Sequence, residues 1–117
     1  MINPRYLERI ISDLRKEDAI LIVEGNRDTD ALTKVGIKKE SVIESAQKKN
    51  SNIERDIIRE EKTVIPLFDN DHSGMARMKR FIEYFTGCGI RIDLSYSRKL
   101  KAAGITYIEE IDNALSY

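Results

Sequence analysis

The chain is poor in the residues that usually announce a mechanism: it holds one cysteine, Cys88, and one histidine, His72, among 117 residues. A single cysteine excludes an internal disulfide and a Cys-rich zinc cluster, so a reducing, cytoplasmic setting is the natural expectation. No apolar run nears the roughly 18 to 20 residues that span a bilayer, and the opening MINPRYLERI has no secretory apolar region, so neither membrane nor export is expected. An excess of charge of one sign is missing too. Twenty Lys and Arg balance twenty Asp and Glu, and any surface for nucleic acid has to be a local one. Aromatic residues are only 7% of the chain, which argues against sequence-specific stacking on single strands. There is no internal repeat and no low-complexity linker.

What is present describes a folded domain. With 41% hydrophobic and 34% charged residues, the chain fits one globular unit over 1–117, too small for a catalytic domain plus a separate binding domain. Leu7, Ile10, Ile11 and Leu14 make one stripe on a helix over 4–16, with Asn3 suited to the N-cap and Pro4 to the first helical position. AILIV at 19–23 reads as a strand buried on both faces. Gly25 permits a turn into a helix that Gly36 stops. SVIES at 41–45 predicts a second strand, AQKKNSN a loop, and NIERDIIREE at 52–61 a second charged helix.

TVIPLFD at 63–69 predicts a third strand, with a bulge or irregularity expected at Pro66. The segment from Ser73 predicts a helix with Met75, Met78, Ile82 and Phe85 on its apolar side, ending at Gly87 and Gly89. RIDLSY at 91–96 alternates as a fourth strand. RKLKAAG follows as a short basic helix or turn, and 107–115 as a closing helix. Strands alternating with long crossovers imply a doubly wound α/β sheet of about four parallel strands with helices on both faces. Ligands of such sheets sit outside the carboxyl ends of the strands, at the switch point.

Two strand ends carry acids. ILIVEGNRD at 20–28 presents Glu24, and IPLFDNDHSG at 65–74 stops abruptly at Asp69 and Asp71. If the first and third strands are neighbours, Glu24 and the Asp69/Asp71 pair meet across the crevice, where carboxylates suit a hard divalent cation such as Mg²⁺. The same acids also suit a turn, with Asp71 or Ser73 capping the next helix. Asp28 fits either the site or the first turn of its helix. His72 adjoins the acids and is placed to touch a phosphate or a leaving oxygen, although a histidine at a helix start is also a common surface or capping residue. Gly25 and Gly74 serve backbone geometry and leave room for a phosphate. The loops after strands two and four are expected to open on the same edge, so Lys48, Lys49, Arg98 and Lys99 are the candidate phosphate contacts.

VEGNRD followed some forty residues later by LFDNDHSG resembles the Toprim domain of bacterial-type primases, type IA and type II topoisomerases, OLD-family nucleases and the nucleases that mature 5S ribosomal RNA. The resemblance covers residues 19–97 through Glu24-Gly25, Asp28 and Asp69-x-Asp71. It implies a Rossmann-like sheet and a Mg²⁺ or Mn²⁺ site for phosphodiester or nucleotidyl chemistry on RNA or DNA. In it Asp69 and Asp71 hold the metal, while Glu24 shares it or handles a proton. The topoisomerases take their nucleophilic tyrosine from a separate domain, for which this chain has no room.

Three functions follow in order of preference: a small Mg²⁺-dependent nuclease of the RNA-maturation type; a non-catalytic metal-dependent nucleic-acid or protein binding module that works within a larger complex, a protein partner supplying specificity; and, distantly, a phosphatase of the haloacid dehalogenase class with Asp69 as nucleophile. That last class places its motif at the first strand and needs a later lysine and acidic pair after a long insert.

Overall fold

Asn3 and Pro4 start the first helix as their chemistry requires. In the computed structural model, which describes residues 1–116, helix α1 runs Pro4–Arg15 and the Asn3 side chain accepts a hydrogen bond from the Tyr6 amide at 3.1 Å. Then follow β1 (Ala19–Val23), α2 (Asn26–Lys34), β2 (Val42–Glu44), α3 (Asn50–Glu60), β3 (Thr63–Pro66), α4 (His72–Thr86), α5 (Ser95–Ala102) and α6 (Ile111–Ala114). Two short 3₁₀ turns, Lys39–Ser41 and Ile108–Glu110, complete the order.

The three strands form a parallel sheet in the order β2-β1-β3, with Leu21 opposite both Val42 and Ile65. Alternate residues of β1 feed two cores. Ala19, Leu21 and Val23 join α1, α2, α5 and α6 through residues such as Leu7, Leu32, Leu100 and Ile111. Ile20 and Ile22 join α3 and α4 through Ile53, Ile57, Phe81 and Phe85. The fold is therefore α/β, a parallel sheet with helices on both faces. Each fully buried Leu, Ile or Phe in these cores contributes about 1.5–3 kcal/mol.

Where expectation and structure differ, backbone chemistry gives the reason. The fourth strand shrinks to a single parallel bridge, Val64 with Ile92, and residues 95–96 already belong to α5. Residues of β3 alternate in the direction of their ladder bonds. Leu67 donates inward to Ile22 at 2.8 Å, whereas Val64 faces outward, donating to Arg91 and accepting from Asp93 at 2.9 Å each. The next outward donor in that ladder would be residue 66, and proline has none. Pro66 thus ends the outer pairing without a bulge, remaining in register with Ile22.

The loop expected before α3 is shorter, because the helix starts at Asn50, and α3 stops where Glu61 turns left-handed at φ 53°. On α4, Met75 is exposed at 55%; the buried side is Gly74, Phe81 and Phe85, with Met78 partly covered. The closing helix is split into the 3₁₀ turn and the short α6. Among the described residues no helix is long and apolar enough to cross a membrane.

Candidate functional site

The chain leaves β1 toward β2 on one side and later returns as β3 on the other. The crevice where these directions part lies at the carboxyl ends of β1 and β3. Glu24 is the first residue beyond β1, and Asp69 and Asp71 follow β3 within five residues of Pro66. Local structure then fixes each acid. Asp71 is the N-cap of α4 and its Oδ1 accepts from the Gly74 amide at 2.7 Å. The capping role read from the sequence is therefore real. Gly74 is glycine by necessity, since a Cβ there would run into the backbone of Asp69.

Asp69 is held from an unexpected direction. Its Oδ1 accepts from the Ile108 amide at 2.9 Å, while Asn70 donates its amide to Thr106 O at 2.7 Å and its Nδ2 to Ile105 O at 2.9 Å. The C-terminal segment 105–110 thus clamps the Asp-x-Asp loop. Asp28, buried in the first turn of α2, accepts from the Gly25 amide at 3.3 Å through Oδ2. Glu24 Oε2 meets Arg77 Nη1 of α4 at 2.7 Å, both side chains being between a third and two-fifths exposed.

The acids act on one another. Burial pushes the Asp28 carboxyl up to about 6, opposed by its bond from Gly25 and reinforced by the charges of Asp69, Glu24 and Glu109. Asp69 is raised by burial as well, against the bond from Ile108, with Asp71, Glu24 and Glu109 adding to the rise. These couplings gather the acids of three chain segments into one field.

Each of the four acids nevertheless spends one oxygen on a protein donor. Among the described residues no three His, Cys, Asp or Glu side chains are drawn into a metal-ligand group. The second oxygen of each acid has no hydrogen bond among the described residues. That donor set is chemically apt for Mg²⁺, which keeps several waters and takes one or two carboxylates in place of a closed protein cage.

The other sequence candidates divide. A cleft of about 700 Å³ opens beside Glu24, lined by Gly25, Asn26, Thr29, Lys39, Ile43 and Lys48 among others. Lys48 reaches it while paired with Asp56 at 3.4 Å. Lys49, at the N-cap of α3, does not line it. Arg98 and Lys99 sit on α5 and not on a loop after a fourth strand, and Lys99 lies 5.1 Å from the Tyr96 ring centre. His72 is exposed at the first position of α4.

Sequence reasoning missed Arg77 and Glu109. For Arg77 a signal existed: with Ser73 it makes an i, i+4 pair in the opening turns of a helix that starts at the acids, and the two side chains bond at 3.3 Å. Glu109 gave none, because only the fold returns residues 105–110 to Asp69.

Comparison with known proteins adds kinship. No family model matches the chain. It is 32% identical over 111 residues to a UPF0292 protein of Pyrococcus abyssi, covering 95% of this chain and 83% of that one. A UPF0292 protein of Methanocaldococcus jannaschii is 28% identical over 123 residues, covering all of this chain and 95% of the relative. A solved structure of a protein from Aquifex aeolicus matches with a TM-score of 0.75 and 29% identity, over 91% of this chain and 94% of that one. The chain belongs to the UPF0292 family.

Proposed function

We propose that this protein is a small Toprim-type enzyme that cleaves nucleic-acid phosphodiesters with Mg²⁺ or Mn²⁺, most nearly a nuclease of the RNA-maturation kind. The observation that carries the reading is the placement of Glu24 and the Asp69-Asn70-Asp71 loop just beyond the carboxyl ends of the neighbouring parallel strands β1 and β3, where the charge of Glu24 acts on Asp69. In a Toprim reading the bridge of Val64 with Ile92 stands where the fourth strand of a Rossmann-like sheet would run. The single cysteine agrees with a cytoplasmic setting.

Asp69 and Asp71 would hold the metal through the oxygens not engaged by Ile108 and Gly74, with Asp28 behind them. When bound, the cation supplies charge neutralisation for the phosphate and a more acidic water. The protein supplies position: Ile108 and Gly74 fix the two carboxylates, and Glu24 faces the cleft, suited to accept a proton from attacking water or return one to the leaving oxygen. Lys39 and Lys48, on the same cleft, suit the flanking phosphates of an RNA or DNA strand.

Purified protein with Mn²⁺ should cleave RNA or DNA, and Glu24→Gln and Asp69→Asn should each lower the rate about a hundredfold or more. Equal rates in wild type and both variants would refute the enzymatic reading. A second reading, metal-dependent binding without turnover inside a larger complex, is favoured by the engagement of every acid with a protein donor. Tight strand binding or a stable co-purifying protein, with no cleavage, would establish it.

A further inference from the structure

We propose that Arg77 binds the reacting phosphate at this site, held on Glu24 until the anionic substrate arrives; the assignment rests on reading the acids as a metal centre. The phosphodiester is an anion asked to approach Glu24, Asp28, Asp69, Asp71 and Glu109. A metal offsets part of that repulsion, and a second positive group at the same spot offsets more. Among the described residues Arg77 is the cation ion-paired with these acids, its Nη1 at 2.7 Å from Glu24 Oε2.

Three properties suit it to an exchange of partners. The pair is more than a third exposed on both sides, and water screens such exposed pairs strongly, so a stronger ligand displaces either member readily. The guanidinium uses Nη1 for both Glu24 and Ser73 Oγ, and its remaining donors meet no partner among the described residues. A planar fork with free donors is the group that grips phosphate in a two-point contact, which an ammonium cannot reproduce. Arg77 is also anchored well: Gly74 and Asp71 fix the opening turn of α4 against the Asp69 backbone.

A cation on Asp69 and Asp71 and the Arg77 guanidinium are like charges in one acidic field and oppose each other, while a phosphate between them is attracted by both. Two titrations separate these effects: Mn²⁺ by calorimetry, and a short fluorescein-labelled single-stranded RNA by anisotropy in the presence of Ca²⁺. Arg77→Ala should bind Mn²⁺ about threefold to tenfold more tightly and the RNA about tenfold more weakly. Arg77→Lys should return Mn²⁺ affinity to the wild-type value and recover RNA affinity only in part. Arg80→Ala, an exposed cation on the same helix, should change neither.

Opposite signs for the two ligands are the signature, because a bracing residue lost would weaken both. Weakening of both in Arg77→Ala, or RNA affinity unchanged, overturns the assignment and leaves the metal reading standing. Absence of Mn²⁺ binding by the wild type overturns both.

Discussion

Asp71 and Gly74 show how two residues of a single turn fix a helix start and the loop before it. Asp71 caps α4 through Oδ1 and leaves its other oxygen without a hydrogen bond among the described residues, while Gly74 lets the helix start press on the Asp69 backbone. Gly74→Ala should cost about 1–3 kcal/mol, read as a fall of several degrees in Tm, because the added methyl must push Asp69 aside. Gly25 offers the contrast: a Cβ there would meet nothing within 4 Å and its backbone is extended at φ −150°. Gly25→Ala should keep the wild-type Tm. Both glycines were visible beside the acids in the sequence, but only the fold tells which of them is sterically required. The same holds for the acids: their order along the chain was legible, and their hydrogen bonds were not.

At the scale of elements, short side-chain links decide how helices and strands are tied together. Tyr96 of α5 is buried and donates its hydroxyl to Glu17 Oε2 at 2.7 Å, joining α5 to the turn after α1. Burial and the Glu17 carboxylate raise the tyrosine above its ordinary value of 10. The folded state therefore keeps the phenolic proton more firmly than the unfolded chain does. Its contribution is complete below about pH 10 and drains away as pH rises further. Tyr96→Phe should lose about 1 kcal/mol at pH 7 in chemical denaturation and show a flatter decline above pH 10. Pro66 is the counterpart in the sheet. Pro66→Val restores the missing outward donor toward the Asp93 carbonyl, so the new amide at 66 should exchange slowly with deuterium and the edge pairing should lengthen. The alternation of RIDLSY predicted a full strand; one proline on the neighbouring strand was enough to reduce it to a bridge, an effect that reading each segment by itself does not capture.

Across the whole molecule, the parallel strands and the face assignment of α1 followed from periodicity, since both depend on residues close in sequence. The clamp on Asp69 and Asn70 did not, because it joins positions 35 to 39 residues apart. Asn70→Ala should free the Ile105 carbonyl from its partner, cost about 1–2 kcal/mol and loosen Asp69 with it. Its signature would be weakened Mn²⁺ affinity beside a lowered Tm. Metal binding should feed back on global stability by mass action: saturating Mg²⁺ should raise the Tm of wild type and leave that of Asp69→Asn almost unmoved. The clamp also sets a schedule. Residues 105–110 are made after everything they fasten, so on a translating ribosome the Asp-x-Asp loop exists for a time with Asp69 unheld and Glu109 still in the exit tunnel. The loop is therefore fastened only once residues 105–110 have joined the fold, after the strands that present it are already made.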